Sequence, residues 1–127
     1  MYLKFSSKTT LWLAALLFMF SLNQPTISYA DEDNKKWYTG GTLHKATVSD
    51  WRKASSENKL ATASDWLSAT LWKEHLTSPD AFVKMKVKTE MLVAAINDVA
   101  ESDGISSMSV TEIAASIVLI SNDLGPD

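Results

Sequence analysis

Ala46-Thr47-Val48-Ser49-Asp50-Trp51-Arg52-Lys53-Ala54-Ser55 returns fifteen residues later as Ala61-Thr62-Ala63-Ser64-Asp65-Trp66-Leu67-Ser68-Ala69-Thr70, with six positions identical. Each copy carries Thr-x-x-Asp, the pattern in which a threonine hydroxyl caps a helix and a third-position acid answers it near the positive helix end. Read as two caps, the echo predicts a short helix from Val48 to about Glu57 and a second from Asn58 or Thr62 to Leu76. Read as one long helix, fifteen residues at 100° each return to within about 60° of the starting face, so Trp51 and Trp66 share a side. The two-helix reading is preferred, and two copies are too few for a solenoid.

Working outward, Leu60, Ala63, Leu67 and Leu71 fall on one face of the second helix, with Ala69, Trp72 and Leu76 beside them. Ser78-Pro79-Asp80 then reads as N-cap, first-turn proline and first-turn acid. The third helix it opens places Phe82, Met85, Thr89, Leu92, Ile96 and Val99 at steps of three and four, and Gly104 is expected to cap it. Ser109-Val110-Thr111-Glu112 is a capping box for the last helix. Its Ile113 to Ile120 core is apolar all round, which places it in the middle of a bundle, and Leu124-Gly125-Pro126 is expected to stop it. The fold class is therefore all-α, a single small bundle of about four helices with no sheet of consequence.

Upstream of the echo, the Gly pair in Trp37-Tyr38-Thr39-Gly40-Gly41-Thr42-Leu43-His44 marks a turn, and its aromatics are expected to dock on the body. Residues 1–30 read as a signal peptide. Lys4 and Lys8 precede an apolar run from Leu11 to Phe20 that is too short to span a bilayer, and Ser28-Tyr29-Ala30 offers small residues to a peptidase. Cleavage after Ala30 would leave residues 31–127 as a periplasmic or secreted helical domain without stable membrane insertion.

The 127 residues include no cysteine, so packing must supply the stability that many exported domains draw from disulfides. Every basic residue beyond the leader lies between Lys35 and Lys88, whereas the stretch from Thr89 to Asp127 has seven acids and no base. No basic stripe survives for nucleic acid.

Gly40-Gly41-Thr42-Leu43-His44-Lys45-Ala46-Thr47, Asn58-Lys59-Leu60-Ala61-Thr62-Ala63 and Val110-Thr111-Glu112-Ile113-Ala114-Ala115 resemble a family of small exported bacterial proteins of unassigned function. More broadly, a signal peptide before a small helical body is similar to the periplasmic immunity proteins that neutralise type VI secretion effectors. In such relatives cysteines commonly tie the third helix to the last; around Ala95 and Ser116 this chain has none. The resemblance implies a helical fold and a protein partner, and carries no catalytic residues.

The candidate chemistry is sparse. His44 beside Trp37 and Tyr38 could line a small site with Trp51, with Asp50 orienting the imidazole; with no nucleophile motif beside it, a structural histidine is the simpler reading. His44 and His75 are too far apart in sequence for a zinc signature. Asp103-Gly104 with Glu112 fails the spacing of a calcium loop. Asp50 and Asp65 could serve acid–base hydrolysis, but their matching contexts argue for capping. No catalytic residue, metal or cofactor is assigned, and the chain is read as a non-enzymatic protein-binding module. Its expected partner carries a basic patch facing the acids around Glu101 and Asp103. The alternatives are a small-ligand or glycan site at Trp37, Tyr38, His44 and Trp51, or an acid-stress periplasmic chaperone.

Overall fold

The computed structural model describes residues 36–127. The signal peptide and its cleavage site lie outside the described residues. Four helices follow in order: α1 (Val48–Lys53), α2 (Ser56–Ala69), α3 (Pro79–Ala100) and α4 (Val110–Ile120). Among the described residues the one β feature is an isolated antiparallel bridge between Thr47 and Ser109.

α1 begins where the sequence puts it. The Thr47 hydroxyl accepts from the Asp50 amide, and the Asp50 carboxylate accepts from the Thr47 amide at 3.1 Å and its hydroxyl at 3.0 Å. The helix is shorter than expected because Ala54 turns extended after a single turn and a half, and Ser55 caps a new helix by accepting from the Asn58 amide. Residues 48–76 thus hold two helices, but the second does not open at Thr62. That threonine lies fully buried inside α2, so its half of the echo is not a cap. α2 also stops at Ala69 rather than Leu76. Beyond it Trp72 tucks inward, its amide bonding to the Leu67 carbonyl and its indole N–H to the Leu124 carbonyl at 2.8 Å.

α3 opens as predicted at Ser78 and Pro79. Met85, Thr89, Leu92, Ile96 and Ala100 form its buried face, whereas Val99 is 39% exposed and so belongs to the surface. The Thr89 hydroxyl is satisfied within the core by the Met85 carbonyl at 2.8 Å. Glu101 is the C-cap, and Gly104 comes three residues later at φ +80°, closing the following turn rather than capping the helix.

The central helix is α3, on which α1, α2 and α4 each pack. This corrects the expectation for α4. Its Val110, Ile113 and Ala114 are buried, but Ile117 and Val118 are only partly so, and Leu119 and Ile120 stand 85% and 81% exposed. An all-round apolar sequence here marks a helix at the edge with an apolar outer end. α4 stops at Ile120, before the Leu124-Gly125-Pro126 stop, and Leu124 then returns to the core.

Candidate functional site

Residues 40–47, 58–65 and 110–111 meet in space. Asn58 on α2 accepts from the Thr42 amide at 2.9 Å and donates to the Thr42 hydroxyl at 2.8 Å. One turn on, the buried Thr62 hydroxyl accepts from the Leu43 amide, and Asp65 bonds the His44 ring Nε2 at 2.9 Å. From α4, the Thr111 hydroxyl donates to the His44 carbonyl at 2.6 Å, and the Val110 amide reaches the Ala46 carbonyl. Steps of four and three along α2 place Asn58, Thr62 and Asp65 on one face, which is what an extended segment laid along a helix requires. Gly40 supplies the left-handed backbone that turns the chain into this clasp.

Asp65, rather than Asp50, is therefore the carboxylate that orients His44. Both side chains of the pair are more than two-fifths exposed, and the joint they make is structural. The second Thr-x-x-Asp thus serves the clasp on Leu43 and His44, not a helix start. Asp50 stays with its cap: the backbone N–H of Thr47, then the Thr47 hydroxyl, hold its carboxyl below the usual aspartate range.

The four aromatic candidates do not form one cleft. Trp37 and Tyr38 meet edge to face at 5.3 Å, Tyr38 lies 4.8 Å from Phe82, and the Lys86 ammonium sits over Trp37, so this pair docks on α3 as expected. His44 instead meets Trp66 edge-on at 6.2 Å, and Trp66 stacks on Trp51 at 6.1 Å. Trp51 is fully buried with its indole N–H on Asn97, which makes it core and not an exposed binding residue.

Glu101 and Asp103 are exposed together on the turn after α3. That turn has a cation in space that the sequence of the second half lacks. Arg52 reaches across from α1, donating from Nε to the Ala100 carbonyl at 2.7 Å, from Nη2 to the Ser102 carbonyl and from Nη1 to the Ser106 hydroxyl. A guanidinium on the last carbonyls of a helix complements its negative end. Lys88 likewise meets Asp127 at 3.1 Å, so the acids of the second half are partly answered by bases of the first.

The feature that sequence reading missed lies at the outer end of α4. Trp66 and Leu71 on one side, with Ala114, Ala115, Val118 and Leu119 on the other, wall a groove of about 720 Å³. The other four lining residues are uncharged polar ones, and Ile120 stands exposed directly after Leu119. The Ile117-Val118-Leu119-Ile120 run was its signal; periodicity cannot separate a central helix from an edge helix whose tip is apolar.

Among the described residues no group of three His, Asp or Glu side chains could hold a metal ion, and no helix is long and apolar enough to cross a membrane. Compared with known proteins, the chain matches no family model, no curated protein and no solved structure.

Proposed function

We propose that this is an exported, non-enzymatic protein of the periplasm that works by binding another protein, in the manner of an immunity or inhibitor protein. The observation that carries the reading is the pair Leu119 and Ile120, the two most exposed large apolar side chains among the described residues, beside an uncharged groove. Contiguous apolar surface of this kind costs solubility and marks contact sites on small domains. The acidic turn at Glu101 and Asp103 supports the same reading by offering long-range attraction to a basic partner, which accelerates encounter.

The test is capture from an envelope extract on the tagged chain, run beside Leu119→Lys and a Glu101→Lys/Asp103→Lys double variant. A specific partner should be retained by the parent chain and lost with Leu119→Lys. With purified partner, the double variant should lower the association rate severalfold at low salt and leave dissociation nearly unchanged. Equal capture by all three chains overturns the reading. Fractionation of cells expressing the full chain tests export: recovery with the cytosol, Met1 intact, overturns it.

A second reading is favoured by the groove itself, whose volume falls within the range of small-ligand sites and whose wall includes Trp66. A small apolar ligand bound there should shift tryptophan emission in the parent chain and not in Leu119→Lys. This reading moves the ligand site away from the Trp37 to His44 loop, whose rings lie in separate clusters.

A further inference from the structure

The solvent face of α3 has an unusual centre. Val83, Val87 and Met91 are 64%, 55% and 42% exposed, and Ala94 continues the line. These positions lie within about 80° of one another around the helix, so they form one stripe opposite the buried Met85, Leu92 and Ile96. Scattered single apolar residues need no explanation; an aligned row on one helix does.

The charges beside this stripe are arranged by half. After Asp80 in its first turn, the first half of α3 carries Lys84, Lys86 and Lys88, and the second half Glu90 and Asp98. Lys86 is engaged with Trp37 and Lys88 with Asp127, whereas neither Lys84, Glu90 nor Asp98 has an ion-pair partner among the described residues. Lys84 and Asp98 are fourteen residues apart, which returns them to within about 40° of each other, on the same side of the stripe's midline. Met91 stands midway between them.

The geometry points to a two-fold contact between copies of this chain through α3, with Met91 near the axis. An antiparallel pair about that axis lays the basic half of one helix on the acidic half of its mate. It keeps each flank facing the same flank, so Lys84 of each copy meets Asp98 of the other, twice. The apolar row closes on itself at the same time, which is what an isologous interface requires. An anionic membrane fits less well, because Asp80, Glu90 and Asp98 share the exposed face with the single free lysine. This surface is separate from the groove at α4, and the inference does not rest on the proposed partner. One helix pair buries less than a standard interface, so the association belongs to the weak, concentration-dependent class.

The experiment is sedimentation velocity across a concentration series on the protein recovered from cells expressing the full chain, at low and high salt. The expected result is a mass rising toward twice the monomer with concentration. Lys84→Glu and Asp98→Lys should each weaken the dimer at least about threefold at low salt, as two exposed ion pairs allow. Combining the two variants should restore it, because the swap recreates both pairs. Met91→Lys, which places two ammonium groups at the axis, should abolish dimerisation while circular dichroism stays that of the parent. A monomer up to on the order of 1 mM, where even millimolar affinity registers, overturns the inference. So does failure of the swap to rescue, or flotation with phosphatidylglycerol vesicles by a chain that stays monomeric.

Discussion

Gly41 lies so close to Thr62 that a Cβ on the glycine would fall 2.5 Å from the Thr62 amide nitrogen and 2.7 Å from its Cα. Both atoms are backbone of α2 and cannot give way as a side chain would. The clasp that brings Thr42, Leu43 and His44 onto Asn58, Thr62 and Asp65 depends on that approach. Gly41→Ala should therefore cost about 1–3 kcal/mol, the range for overpacking a tight site, read as a lower urea midpoint at unchanged slope. Gly40→Ala should also destabilise, through its positive φ alone, since nothing lies within 4 Å of its Cβ position.

Trp72 holds the end of the chain. Its buried indole N–H donates to the Leu124 carbonyl, and Leu124 is itself 2% exposed. Trp72→Phe keeps most of the ring and deletes the donor, leaving a buried carbonyl unanswered at about 1–3 kcal/mol. Hydrogen exchange should report the loss first at residues 121–127, before the rest of the domain.

Leu92 and Ile117 separate a central helix from an edge one. Leu92→Ala on α3 should cost about 2–5 kcal/mol because the site is closed on all sides. Ile117→Ala on α4 should cost roughly half as much, as its side chain is only partly covered. Equal costs, measured by denaturant unfolding, would restore α4 to the middle of the bundle.

Asp50 makes the stability of the domain depend on pH. Its native carboxyl titrates below the usual aspartate range, so its capping contribution is complete above about pH 4 and fades as pH falls through the lower native value. Asp50→Asn removes the titration but keeps an oxygen acceptor. The melting temperature gap between parent and variant should be constant from about pH 5 to 8 and narrow below about pH 4. A gap that widens in acid contradicts the assignment.

Three of the four helix starts were legible from local capping patterns: Thr47 with Asp50, Ser78 before Pro79, and Ser109, whose hydroxyl accepts from the Glu112 amide, all stand where local rules put them. Ser55 was overlooked because the stronger Thr-x-x-Asp at Thr62 competed for the same role. What made Thr62 different is tertiary: Leu43, nineteen residues away, claims its hydroxyl. The same holds for His44: Asp50 is the nearer acid in sequence, and the histidine's partner is Asp65 on the next helix. Side chains were misassigned where the deciding neighbour is distant. Leu119 and Ile120 were lost for the opposite reason, since periodicity cannot report that a neighbour is missing.

The backbone bonds that seat α1 come from the other end of the domain: Val48 reaches Met108, Ser49 reaches Ser106, and Val110 reaches Ala46. Six residues are too few for a helix to persist alone in water, so α1 has no independent existence. As the chain lengthens during synthesis, α1 must wait for its partners until Val110 has emerged. A domain arranged this way completes its first helix only when its last quarter arrives. Chains ending before Ser106 should accordingly show no cooperative melt, however well α2 and α3 are written into them.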